Sequence, residues 1–238
     1  PDMNIYEGPP SGGFAVEGVN FAPDETSHIH TGALERDVDA LIDVVDEASR
    51  QADLVFVALH CHEGISGRWN NEVPADFLRP LAHRLIDAGA NAIFGTGPHM
   101  LRGMEMYRDR PICYSLGNFI FTLETIAAFP LEVYEGQGMK PTSTAADLYD
   151  RITGYATESR FWETVMARLH FQDGVLVDSE LLPVTLGNSL PRSRRGRPVL
   201  ADAASGQAIL ERLAVLSKPF ETSIHISASG GRAVGRIV

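Results

Sequence analysis

Between residues 53 and 60 the chain reads Asp-Leu-Val-Phe-Val-Ala-Leu-His, an apolar run with almost no interruption that ends in a dense polar cluster. A nearly continuous apolar stretch of this length predicts a strand covered on both faces, as in a parallel sheet flanked by helices. The flanking segments fit that arrangement. From Ala33 to Gln51 the apolar residues Leu34, Val38, Leu41, Ile42 and Val45 fall at helical spacing, with Thr31 placed to cap the N-terminus. After a polar loop from Cys61 to Glu72, a second helix is predicted within Pro74 to Ala88. Phe77, Leu78, Leu81, Leu85 and Ile86 face inward there, and Gly89 closes it. Pro80 must either begin that helix or kink it. Residues 91–95 read as a short buried strand with Thr96 to His99 as its exit loop, and Pro111 to Leu116 as a third strand ending at Gly117-Asn118-Phe119.

Strand, loop, helix and strand thus alternate, and the polar chemistry falls after strand C-termini, the edge where α/β sheets bind ligands. Residues 1–32 form an irregular lead-in with one short strand. Residues 130–160 lose the rhythm and read as an insertion with a helix near Ala145 to Gly154. Phe161 to Phe171 and Gly174 to Val184 alternate around Gln-Asp-Gly, a hairpin signal. A basic loop from Pro191 to Pro198, a helix from Ala203 to Ser217 and a hairpin turning at Gly230-Gly231 complete the chain. With no repeat and no clean linker, residues 1–238 are expected to form one α/β domain.

The formal charge of −11 excludes general nucleic-acid binding, which needs a basic face. It also requires a local cationic site, from a metal or arginines, for any anionic substrate. No apolar run reaches the length of about 18 residues that spans a membrane. The first residues show no basic region followed by an apolar stretch, so no signal peptide is expected within this sequence. Cytoplasmic and envelope-associated locations both stay open. Cys61 and Cys113 make no disulfide framework and read as two reduced thiols.

The strongest chemical signal is Leu59-His-Cys-His-Glu-Gly64. In an extended segment His60 and His62 point to the same side. Imidazole nitrogen and carboxylate oxygen suit zinc, iron or manganese. The competing reading is a polar loop with incidental histidines. Gly95-Thr-Gly-Pro-His99 ends the next strand; its glycines allow close backbone approach and Pro98 stiffens the turn that presents His99. Asn118 could orient a ligand or a metal-bound water through its amide, and equally could cap a turn. Trp69, Asn70 and Asn71 are placed either to line a cleft or to sit in a solvated loop. Among the other histidines, His28 and His30 precede a helix in what reads as an exposed loop, His83 is expected at a helix surface, and His170 and His225 in strands. Arg192, Arg194, Arg195 and Arg197 form the one dense positive patch. It reads either as a solvated loop or, through Arg194 and Arg195, as a contact for an anionic polymer.

Across Val55 to Phe121 the chain resembles the bacterial capsule synthesis CapA/PgsA proteins of poly-γ-glutamate production, a family similar to calcineurin-type metallophosphoesterases. The resemblance rests on His-Cys-His-Glu-Gly, Ile-Asp-Ala-Gly-Ala-Asn, Gly-Thr-Gly-Pro-His and Arg-Pro-Ile-Cys-Tyr-Ser-Leu-Gly-Asn-Phe. A looser likeness, through Leu-Ser-Lys-Pro-Phe and the last hairpin, runs to the C-terminus. It implies a layered α/β sandwich of the calcineurin-like metallophosphoesterase type, of which this chain is the C-terminal portion, with a divalent metal site between two sheets. His60 and His99 match the family's metal-ligand positions, and His62 and Glu63 match a variant first loop, as candidate general acid or base. Two departures stand out. Upstream of His60 there is neither the family's Gly-Asp aspartate nor its Asn-His segment, and Thr96 stands where many members have histidine. Either the remaining ligands lie on a segment outside this sequence, or the site is degenerate.

Three functions follow as expectations. One is a metal-dependent hydrolase of phosphoesters or γ-glutamyl amides in poly-γ-glutamate capsule biosynthesis. The second is a non-catalytic subunit that binds polyglutamate or capsule synthesis proteins. The third, a thiol enzyme using Cys61, draws on the neighbouring histidines that could lower a thiol pKa.

Overall fold

The computed structural model describes residues 12–16, 19–21, 25, 29, 31–122, 125–140, 142–152 and 157–238. His28 and His30 lie outside them. The lead-in contains an antiparallel ribbon, β1 (Phe14–Val16) and β2 (Val19–Phe21), in place of the single strand expected, with Phe14 stacked on Phe21.

Helix α1 spans Glu35–Ser49. Thr31 does not cap it. Leu34 stands at the cap position without a side-chain cap, and the Thr31 N–H instead points to Asp76 at 3.4 Å. Glu35 and Asp37 in the first turn supply negative charge to the positive helix end. Strand β3 (Phe56–His60) leads through the polar loop to α2 (Leu78–Asp87). Pro80 falls in the first turn of α2, where a main-chain N–H has no helical acceptor, so it begins the helix and does not kink it. Gly89 follows with φ of 116° and ends it.

Then come β4 (Ala92–Thr96), β5 (Met104–Tyr107) and β6 (Arg110–Cys113). Together with β3 they form a four-stranded sheet in the order β3-β4-β6-β5, parallel except for β5. The β5–β6 hairpin, absent from the sequence reading, turns on Arg108 and Asp109, both at positive φ. Neither is the Asn-Gly or Asp-Gly pair that marks such a turn in sequence. The two-face burial expected of β3 is also corrected. Phe56 is 51% exposed and Ala58 is exposed, because β3 is an edge strand with no neighbour beyond it among the described residues.

Two short helices, α3 (Leu131–Gly136) and α4 (Ala145–Ile152), occupy the segment read as an insertion. The second sheet follows, with β7 (Glu163–Gln172) and β8 (Val175–Thr185) forming the expected hairpin and β9 (Val199–Leu200) pairing with β8. Helix α5 (Ala203–Ser217) starts at Asp202, whose carboxylate accepts the Ser205 N–H, and the hairpin β10 (Ile224–Ser229) and β11 (Arg232–Ile237) completes the order β10-β11-β8-β7.

Helices α1 and α2 cover one face of the first sheet, packing Val38, Val45, Leu81, Leu85 and Ile86 onto Ile93 and Ile112. Its other face sets Phe94, Met104 and Cys113 against Val165 and Leu181 of the second sheet and Ile209, Leu210 and Leu213 of α5. The fold is therefore an α/β sandwich. On its outer face the second sheet exposes Arg168, His170 and Asp178, as an antiparallel sheet packed on one side does. A third cluster, including Met100, Phe121, Phe161 and Trp162, packs under the segments that follow β4 and β6.

Candidate functional site

Parallel pairing sets His60 directly beside Thr96, so β3 and β4 release their loops from the same sheet edge. What lets those loops touch is Gly97. A Cβ on this residue would lie 2.7–2.9 Å from the main-chain atoms of Cys61, and its φ is +121°. Pro98 follows, and His99 adopts φ of 62°, a left-handed conformation uncommon for a residue with a side chain and typical of functional loops.

Three imidazoles gather at this edge. The ring centroids of His60 and His62 are 5.0 Å apart, and those of His62 and His99 are 5.2 Å apart. The Nε2 atoms of His60 and His62 approach to 3.2 Å. Each Nδ1 has an oxygen partner: Thr96 Oγ1 for His60 at 3.0 Å, Asn70 Oδ1 for His62 at 2.9 Å and Asn118 Oδ1 for His99 at 2.9 Å. The Asn118 amide is fixed in turn, its Nδ2 donating to the carbonyls of His99 and Phe161. Asn118 thus aims a histidine.

The proton inventory follows from these partners. Amide oxygens only accept, so His62 and His99 carry their protons on Nδ1. The Nε2 of His62 must then accept from the Nε2–H of His60, whose Nδ1 takes the Thr96 hydroxyl proton. A threonine hydroxyl can also accept. If the proton of His60 moves to Nδ1, Thr96 still holds the ring, and both Nε2 atoms become free to coordinate. Burial, with His62 and His60 nearby, pushes the His99 pKa down from its ordinary value against the Asn118 bond, which favours the neutral, ligand-competent ring.

These donors fit part of a metal shell. Two nitrogens bound to a tetrahedral ion at about 2.0–2.1 Å sit roughly 3.3 Å from each other, close to the His60–His62 separation. Among the described residues, however, no group of three or more His, Cys, Asp or Glu side chains is arranged to hold an ion. Glu63 is next to the pair in sequence, but the hydrogen bonds it makes there run through its carbonyl, accepted from Arg102 and Cys61. Trp69 stacks on His62 at 5.4 Å and is 60% exposed, forming an open aromatic wall. Cys61 has its thiol pKa raised chiefly by burial, and buried Cys113 is pushed up to about 12, neither suited to thiolate chemistry.

The arginine loop is ordered by α4. Arg192 pairs with Asp147 and Asp150, while Arg195 is buried, pairs with Asp150 and lies over Trp162. Arg194 and Arg197 stay exposed. His83 bonds Glu105 and stacks on Tyr107, away from the cluster, and His170 and His225 stand on exposed strand positions. Sequence reasoning did not single out Arg102, the fully buried residue beneath the histidine loop. Its position two residues before β5 carried no local signal.

Residues 9–123 match the family described as bacterial capsule synthesis protein PGA_cap. Over that stretch, just under half of its length, the chain is similar to this capsule synthesis family. Two Bacillus members are similar to it: the PGA biosynthesis protein CapA of Bacillus subtilis, 38% identical over 44% of this chain and 26% of that protein, and the capsule biosynthesis protein CapA of Bacillus anthracis, 28% identical over 55% and 37%. Protein y4sH of Sinorhizobium fredii is 39% identical over 80% of this chain and 43% of its own length. The chain therefore spans less than half the length of these relatives. No described helix is long and apolar enough to cross a membrane.

Proposed function

We propose that this chain carries the histidine side of a divalent-metal hydrolase site, of the calcineurin-like metallophosphoesterase type, that acts in poly-γ-glutamate capsule synthesis. The observation that carries the reading is the His60–His62 Nε2 pair, 3.2 Å apart with both Nδ1 atoms held by oxygens. Oxygen partners of this kind fix the tautomer of metal-binding histidines. The role in capsule synthesis draws on the names of the Bacillus relatives, a PGA and a capsule biosynthesis protein.

His60 and His62 would supply two nitrogens of the shell of a zinc, manganese or iron ion, with His99 beside them, and the ion would supply Lewis-acid polarisation of a phosphoryl or acyl oxygen and acidify a water. Thr96, Asn70 and Asn118 keep the three rings aimed. Trp69 covers one face of His62 and limits water there. Glu63 is the neighbouring group for proton transfer. Arg194 and Arg197 are the exposed cations of the basic loop for an anionic polymer, given the charge of −11. The experiment is metal analysis of the purified protein, with titration by Zn²⁺, Mn²⁺ and Fe²⁺ and turnover of a phosphodiester and of polyglutamate, for the wild type and His60→Ala. Stoichiometric metal and turnover, both lost in His60→Ala, are expected. No bound metal and no turnover with any ion would remove the reading.

A second reading, a non-catalytic subunit that binds polyglutamate or assembles with capsule synthesis proteins, is favoured by one observation: among the described residues no group of three or more His, Cys, Asp or Glu side chains could hold an ion. It predicts polyglutamate binding that His60→Ala leaves unchanged.

A further inference from the structure

Beneath the histidine loop lies a charged side chain with no exposure at all. Arg102 is 0% exposed, and its guanidinium donates to four main-chain carbonyls: Asn71 through Nε at 2.8 Å, Cys61 through Nη1 at 3.3 Å, and His62 and Glu63 through Nη2 at 3.2 and 2.7 Å. These acceptors stand at the two ends of one loop, the entry at residues 61–63 and the exit at residue 71. The arginine therefore ties the loop shut from below. Its own backbone is anchored elsewhere, its N–H donating to the Ser115 carbonyl beside the Leu101–Leu116 bridge. It also belongs to the segment that presents His99, three residues earlier.

Burying a guanidinium is costly, and burial pushes its pKa down. An apolar side chain of similar volume would fill the space at lower cost. What it could not do is donate to four inward-facing carbonyls at once, of which only His62 O, from the Asn70 N–H, and Glu63 O, from the Cys61 thiol, are given a second donor by the hydrogen bonds described. Lysine could not do so either, because its ammonium is a single point and lacks the planar fork. A carbonyl turned down onto Arg102 fixes its peptide plane, and the plane at His62 sets where that side chain leaves the backbone. We infer that Arg102 is a positioning residue which couples the two histidine loops, the His99 segment gripping the His60–His62 segment so that His62 meets both His60 and Asn70. The inference rests on the metal-site reading for its purpose, but its geometry stands without a metal.

The test uses Arg102→Met and Arg102→Lys in the same chain. In metal-free protein, long-range proton–nitrogen NMR of the imidazoles at pH 8 reads the tautomer of each histidine. The wild type is expected to show His62 and His99 protonated on Nδ1. In both variants His62 should shift to a tautomer mixture while His99, held by Asn118, keeps its signal. The lysine variant keeps the charge and guards against loss of folding in the methionine variant. Co²⁺ titration followed by visible absorption should then show at least about tenfold weaker binding and an altered band, as for lost outer-shell partners. A lower melting temperature with unchanged His62 signals and unchanged Co²⁺ spectrum would overturn the inference and leave Arg102 a packing residue. Equal disturbance of His62 and His99 would overturn it too, since the effect would then be global. Absence of Co²⁺ binding in the wild type counts against the metal reading, while the His62–His99 contrast still decides the role of Arg102.

Discussion

Replacing Gly97 with alanine tests whether the two histidine loops meet as the structure has them. The added Cβ would sit 2.7 Å from Cys61 C, 2.8 Å from Cys61 O and 2.9 Å from Cys61 N, all backbone atoms that cannot swing away. Overpacking of this kind costs about 1–3 kcal/mol. The φ of +121° adds the penalty of a Cβ in positive-φ space, about 1–2 kcal/mol. Together they amount to about 3 kcal/mol, which for a domain of this size lowers Tm by about 6–12 °C. Gly174 supplies the control: its φ is +77° and nothing lies within 4 Å of its Cβ position, so Gly174→Ala incurs the backbone penalty alone. Thermal unfolding by circular dichroism of the two variants separates loop contact from backbone strain. Zinc titration adds the functional readout, because a shift of Cys61 moves His60 and His62 relative to His99. The reasoning is refuted if Gly97→Ala melts no lower than Gly174→Ala.

Asn118→Ala removes the acceptor for His99 Nδ1 and the Nδ2 bonds to the His99 and Phe161 carbonyls. Zinc affinity should fall about 10–100-fold, measured by competition with a chromophoric chelator. Glu105 accepts from Arg79, Tyr114 and His83, and although burial pushes its pKa up, these bonds together hold it below its ordinary value. A carboxylate with a depressed folded pKa stabilises above its unfolded value, about 4.3, and loses that contribution as pH falls through the folded value. The acid limb of a Tm-versus-pH curve should therefore flatten in Glu105→Gln. Asp202→Ala deletes the cap on the Ser205 N–H at the start of α5 and should cost about 1 kcal/mol in urea unfolding.

Elements whose signal is local were legible in the sequence. Helix α5 begins and ends where its periodicity places it, and the β7–β8 and β10–β11 hairpins turn at the glycines that mark them. Elements defined by their neighbours were less so. The apolar run of β3 reads as a strand buried on both sides, yet burial is a property of the sheet, and an edge position leaves Phe56 half open. Strand β5 escaped because its turn uses Arg108 and Asp109 at positive φ. The Thr31 cap failed because helix entry here uses acidic residues in the first turn in place of a hydroxyl at the cap.

The same division governs the site. Residue type alone picks out His60, His62 and His99, but it gives equal chemical standing to His83, His170 and His225. What separates them is the second nitrogen of each ring. The three clustered histidines each set Nδ1 against an oxygen supplied from another turn of chain, Thr96, Asn70 or Asn118, and the Nε2 atoms of His60 and His62 face each other. His83 does the opposite, committing Nε2 to the Glu105 carboxylate and stacking its ring on Tyr107 at 3.8 Å. His170 and His225 stand on exposed strand positions with no such brace among the described residues. The brace lies 8 residues away for His62, 19 for His99 and 36 for His60. No fixed spacing links a histidine to its oxygen. A threonine at 96 serves His60 because its hydroxyl can donate or accept. A residue that looks like a lost ligand in sequence is therefore, in three dimensions, the hydroxyl that holds the His60 ring at Nδ1.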